Sequence, residues 1–170
     1  MVLTLTFLKM SEKFDATDAT SASQLHKVLA GTRYVPNDTT MRIEDIVNYN
    51  SIDNLFGNRY YKILFLTGAD EIGHWVLLTH LRDRDLEYFD SFGLEPPAIL
   101  HQWCAAVGVE DLSFSTKRLQ HPESYNCGRF VLARISSQPT ELAVFLNILS
   151  SSKHFTPDDI VGSLFNVDNI

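Results

Sequence analysis

The segment Ser124-Tyr125-Asn126-Cys127-Gly128-Arg129-Phe130-Val131-Leu132-Ala133-Arg134 constrains this chain more than any other. Its apolar residues are spaced for a buried helix, so the remaining sequence has to supply surfaces that cover it. The cysteine stands at the head of that helix. Unpaired backbone N–H groups and the positive end of the helix dipole there favour a thiolate, which is where a nucleophilic sulfur belongs. Upstream lie Gln120, then Asp90 in Glu87-Tyr88-Phe89-Asp90-Ser91-Phe92-Gly93, then His74 in Gly73-His74-Trp75-Val76. Chain order is therefore His, acid, Gln, Cys.

Three apolar, aromatic and β-branched runs, at residues 60–66, 74–81 and 86–90, predict strands. Arg82-Asp83-Arg84-Asp85 separates the last two as a polar turn, so they form a hairpin. If it turns about Arg82, His74 stands directly opposite Asp90, within reach of a His–carboxylate contact. Residues 2–8 alternate as an edge strand, 10–22 form a polar connector, and a short helix covers 23–30 with Gly31 as its stop. Turn residues dominate 32–58, leaving a loop with one or two helical turns. Pro96-Pro97 opens a helix to about residue 107, ended by Gly108, and 112–116 alternates as a strand that delivers Gln120. Further helices follow at about 127–136 and 140–149, and a last one begins at Thr156-Pro157. The result is one α+β domain spanning residues 1–170, a small mixed sheet packed by helices on both sides.

Composition excludes several functions. A net charge of −7 argues against a dedicated nucleic-acid binder, which needs clustered Lys and Arg. Two cysteines, Cys104 and Cys127, are too few for a disulfide framework or a zinc ribbon and fit a reducing compartment, although a single bridge between them stays open. The apolar opening lacks a basic leader and a cleavage site, and no run is long enough to cross a bilayer, so the chain reads as soluble. Phosphate-loop, G-x-S-x-G and H-E-x-x-H patterns are absent, and no cofactor or metal is implied.

Each candidate residue has a plain structural alternative. Free cysteine is among the most buried residue types, and Cys-Gly by itself more often marks an inert thiol than a nucleophile. Asp90 could simply end a strand and cap a turn, and Gln120 could be a surface amide. His74 is one of six histidines, with His80 and His121 as its nearest rivals. Together they fit a different account. Cys127 attacks a carbonyl, His74 takes and returns the proton, Asp90 accepts the His74 Nδ1 proton, and the Gln120 amide with the Cys127 N–H forms an oxyanion hole. The acidic pairs Asp83/Asp85 and Asp158/Asp159 read as a turn and a helix start.

Gly73-His74-Trp75, Tyr88-Phe89-Asp90-Ser91-Phe92-Gly93, Gln120 and Asn126-Cys127-Gly128-Arg129-Phe130, in this order, resemble the adenoviral protease (adenain) and the related SUMO-specific and virophage-type cysteine proteases. The resemblance covers roughly residues 60–136. It implies a papain-like cysteine protease fold in circularly permuted order, with His74 as base, Asp90 as orienting acid, Gln120 in the oxyanion hole and Cys127 as nucleophile. It also implies cleavage after small residues, commonly glycine, with Trp75 lining a narrow substrate channel. The substrate would be a protein or polyprotein, such as a viral capsid or core precursor. Processing of SUMO- or ubiquitin-like proteins is the alternative, and a structural virion protein retaining the fold is the non-enzymatic one. A monomer acting inside the virion or the host cell, with neither secretion nor a membrane, fits this reading. Adenoviral enzymes are stimulated by DNA and by a disulfide-linked peptide. A peptide activator stays open here, the acidic charge argues against DNA, and Cys104 does not match the peptide-linking cysteine. The chain departs from the family in having Asn126 where many members have Asp before the cysteine, and Asp90 where many adenoviral enzymes have Glu.

Overall fold

A computed structural model describes residues 21–30, 39–67 and 73–165. The expected strand at 2–8, most of the connector at 10–22 and the helix stop at Gly31 lie outside the described residues. Among the described residues five strands form one mixed sheet in sequence order: β1 (Thr40–Arg42), β2 (Tyr61–Thr67), β3 (Gly73–Arg82), β4 (Asp85–Phe89) and β5 (Asp111–Phe114). The inner pairs β2–β3 and β3–β4 are antiparallel, whereas β1 and β5 join the edges parallel to their neighbours.

The side-chain period of two divides the core. Tyr61, Ile63, Trp75, Leu77 and Phe89 face α1 (Ala22–Ala30), α4 (Cys127–Ser136), α5 (Leu142–Ser150) and α6 (Pro157–Leu164). Leu64, Val76, Leu78, Leu86 and Tyr88 face the other way, onto a 3₁₀ turn (Ile43–Asn48), α2 (Ile52–Phe56) and α3 (Ala98–Val107). Both faces are covered, which is why the three strand runs read as continuously apolar. The Trp103 indole donates to the Tyr49 carbonyl at 2.7 Å and ties α3 to the segment after the 3₁₀ turn. Gly108, with φ of 76°, closes α3 in the left-handed conformation that suits glycine.

Two sequence expectations need correction. The segment 32–58 holds a strand, β1, as well as helical turns; three residues are too short for a periodic signal, and β1 is defined by its pairing with β2. The β3–β4 hairpin turns on Asp83-Arg84, with Asp83 at φ of 47°, and a register shift between His80 and Arg82 follows, so Leu77 pairs with Phe89. Continuing that register puts Val76 opposite Asp90, and His74 becomes a diagonal neighbour on the same face.

Helix α4 is buried from Cys127 to Ile135, two arginines included. Arg134 meets Glu87 of β4 in a fork of two 2.8 Å hydrogen bonds, with side-chain exposures of 1% and 4%. Its Nη1 donates to Ser137 Oγ and to the Thr140 carbonyl. Removing one partner of a buried pair strands the other charge, whereas replacing both with apolar groups does not. Arg134→Ala should therefore lower unfolding free energy by about 3–5 kcal/mol in urea denaturation, and Arg134→Met with Glu87→Leu by much less.

Candidate active site

His74 lies at the start of β3 and Asp90 just past the end of β4; in an antiparallel pair these are the same end of the sheet. His74 Nε2 donates to Asp90 Oδ1 at 3.0 Å. The diagonal offset explains how: an imidazole is long enough to span it where a direct cross-strand contact is lacking. The contact uses Nε2, not the Nδ1 expected from the sequence, which leaves Nδ1 as the nitrogen available to the sulfur. The Phe92 ring covers the imidazole, with ring centroids 4.8 Å apart.

Asp90 both closes the turn after β4 and bonds the His74 ring. The same Oδ1 accepts the Phe92 N–H at 2.7 Å, and its carbonyl accepts from Gly93 N at 3.0 Å, closing the turn. Gly93 is required there, because its φ is 69° and a Cβ would lie 2.6 Å from the Thr116 carbonyl oxygen. Asp90 Oδ2 is buried without a hydrogen-bond partner among the described residues. Burial pushes the Tyr88 hydroxyl's pKa upward, and the Asp90 charge adds to it. The Asp90 carboxylate therefore lies beside that hydroxyl.

Cys127 opens α4 on the helix face packed against Trp75 and Leu77, and it reaches His74. Burial, the largest single influence, lowers the His74 pKa. Hydrogen bonds to Asp90 and Cys127, with the electrostatic pull of both, outweigh it and raise the value from 6.5 to about 9. The helical ladder begins with Phe130 N donating to Asn126 O at 3.0 Å, so the Cys127 N–H lies ahead of it at the helix mouth.

Gln120 is 1% exposed, which rules out the surface-amide alternative. Ser91 Oγ donates to its Oε1 at 2.6 Å, and its Nε2 donates to the Ser124 carbonyl at 2.6 Å. Those two bonds fix which end of the amide is oxygen and which is nitrogen. The Ser91 carbonyl also accepts from Leu119 N and Gln120 N, both at 2.9 Å. Trp75 is 8% exposed and packs against Phe65, with centroids 4.7 Å apart. Gly73 makes room for that pair: a Cβ there would sit 1.8 Å from Phe65 Cζ.

The rival histidines hold structure. His80 Nε2 donates to the Asp83 carbonyl in the hairpin turn, and His121 Nδ1 accepts from Glu123 N. Cys104 and Cys127 are both free and belong to cores on opposite faces of the sheet, and burial pushes the Cys104 thiol up to about 11. Among the described residues no group of three or more His, Cys, Asp or Glu side chains is placed to hold a metal, and no helix is long and apolar enough to cross a membrane.

Sequence reasoning missed Ser91, Ser124 and Asp158 as parts of this neighbourhood. Asp158 is a charge at a helix start, as the sequence implies. Its carboxylate also bonds the 121–126 loop. A serine after a strand or an acid in a first helical turn carries no signal of a partner some 30 residues away.

No protein-family model matches this sequence, and no curated protein does. Solved structures do. One crystal structure of ASFV pS273R protease superimposes with a TM-score of 0.54 at 12% identity, covering 87% of this chain and 67% of that one. Its selenomethionine form gives 0.52 at 14%, over 87% and 68%. SUMO protease Ulp1, with its catalytic cysteine oxidized to a sulfinic acid, gives 0.40 at 14%, over 88% and 75%. The α+β architecture is therefore the papain-like fold of ASFV pS273R protease.

Proposed function

We propose that this protein is a cysteine endopeptidase with Cys127 as nucleophile, His74 as general base and acid, Asp90 as the orienting carboxylate and Gln120 in the oxyanion hole. The observation that carries the reading is the His74 ring, held by Asp90 at Nε2 and reaching the sulfur that heads a buried helix. A pairing of thiol, imidazole and buried acid has a plain chemical use. The fold it shares with ASFV pS273R protease supports the same assignment.

The reaction follows from the parts. The Cys127 thiolate adds to the carbonyl carbon of the scissile peptide, and the carbonyl oxygen takes up the negative charge. Ser124 occupies one of the two Gln120 Nε2 donors, so the other, with the Cys127 N–H, serves that oxyanion. Collapse breaks the C–N bond while the His74 imidazolium protonates the leaving amine, giving a thioester. Water then attacks the thioester, His74 accepts its proton, and release of the carboxylic acid restores the thiolate and imidazolium. Throughout, Asp90 keeps the ring oriented and offsets its charge.

The finer reading takes the substrate to be a protein or polyprotein cut after small residues, of Gly-X type, as in maturation of viral precursors. Trp75 and Phe65, packed on each other in the same apolar cluster as Cys127, support an aromatic-sided approach to the sulfur. Free cysteines fit work in a reducing interior, that of a virion or host cell.

Peptide reporters carrying Gly-Gly before the cleaved bond test this reading. Cys127→Ala should abolish turnover, Gln120→Ala should lower kcat by about 10²–10³, and equal rates for wild type and Cys127→Ala would end it. An NMR titration of the His74 ring should show a midpoint near 9 in the wild type and a lower one in Cys127→Ala and in Asp90→Asn. Since the folded pKa exceeds the unfolded 6.5, the stability gained from protonated His74 is complete below about pH 6.5 and is lost as pH rises through 9. Denaturation measured across that interval should show the loss in wild type and not in His74→Gln.

A further inference from the structure

Helix α6 carries two adjacent acids with separate employment. Asp159 caps its own helix: Oδ2 accepts from Thr156 N at 2.8 Å and Thr156 Oγ1 accepts from Asp159 N at 3.2 Å. Asp158 is thereby left to a different segment. Its Oδ2 accepts from His121 N at 2.8 Å, and its Oδ1 accepts from Ser124 Oγ at 2.5 Å and Asn126 Nδ2 at 3.1 Å. Three donors from one short loop converge on one carboxylate.

That loop joins Gln120 to Cys127. Ser124, held by Asp158 through its hydroxyl, is the residue whose carbonyl takes the Gln120 amide, and its Oγ also accepts from Asn126 N at 3.2 Å. Asn126 stands immediately before the cysteine at the N-cap position and makes no capping bond with its side chain. The side chain is used elsewhere: Nδ2 donates to Asp158, and Oδ1 accepts from Arg129 at 2.6 Å. Arg129 Nε in turn donates to the Phe165 carbonyl, just past the other end of α6, at 3.1 Å. Both ends of α6 are therefore tied to the segment that presents the amide and the sulfur. A neutral amide at 126 is dictated by its neighbours, since one end must donate to a carboxylate and the other accept from a guanidinium.

We propose that Asp158 is a positioning residue for the reaction, and that α6 is a clamp which holds the 121–126 loop so that the Gln120 amide and the Cys127 N–H converge on one oxyanion. Touching no reacting atom, Asp158 acts through Ser124 and Asn126. The inference rests on the protease reading for its consequence in rate, and on hydrogen bonds alone for its consequence in loop order.

The experiment compares Asp158→Ala, Asn126→Asp and the exchanged pair Asn126→Asp with Asp158→Asn, by peptide-reporter kinetics and by amide hydrogen exchange at His121. Each single variant should lower kcat, on the order of 10²-fold for a misplaced oxyanion donor, with KM nearly unchanged. Each should also speed exchange at His121. The exchanged pair keeps one donor and one acceptor facing each other and an amide oxygen for His121 N, while the Ser124 hydroxyl turns from donor to acceptor, so it should recover exchange at His121 and part of kcat; the recovery shows that the loss was not general unfolding. Unchanged kcat and exchange in the single variants, or an exchanged pair no better than the two singles combined, would overturn the clamp. A wild type that cleaves no reporter, with the exchange pattern intact, would keep the clamp and remove the protease reading instead.

Discussion

The buried ion pair between Arg134 and Glu87 fixes helix α4 against the sheet. A guanidinium taken out of water is tolerated only where its donors are matched, and here the match is bidentate and shared between α4 and β4. At the other end of the same helix Arg129 is bonded to Asn126 and the Phe165 carbonyl. Two inward-facing cations at the two ends of α4 leave it little freedom. Sliding or rotating the helix would orphan both, so the sulfur at its head keeps a fixed place relative to β3.

Around that helix, His74 and Asp90 meet at one end of the sheet because an antiparallel hairpin places the start of β3 beside the end of β4. The scaffold supplies rigid apolar layers on both faces, and polar turns supply the chemistry at the rim. Glycine enters where backbone or ring must pass closely: Gly93 against the 116–117 backbone and Gly73 beneath the Phe65 ring.

Much of this was legible in the sequence. The strands at 60–66, 74–81 and 86–90 and the helix at 127–136 are long, strongly patterned and bounded by turn residues, and they form within one or two residues of their expected ends. The chain order of His74, Asp90, Gln120 and Cys127 was readable, and the fold brings His74 to both Asp90 and Cys127. Finer geometry was not. A register shift after a two-residue turn moved the hairpin pairing, and only three-dimensional placement decides which imidazole nitrogen meets the acid. β1 exists through a parallel partner some 20 residues downstream, which local periodicity does not encode. Ser91 and Asp158 act by hydrogen bonds to residues remote in the chain, and neither differs locally from an ordinary turn serine or helix-start acid.

Consider finally the peptide unit between Asp90 and Ser91. One residue turns its carboxylate to the imidazole, and the next turns its hydroxyl and carbonyl to the Gln120 segment. The residue that bonds the imidazole and the residue that bonds the Gln120 segment are therefore joined by one peptide bond. Any displacement of the β4 tip would move both attachments together.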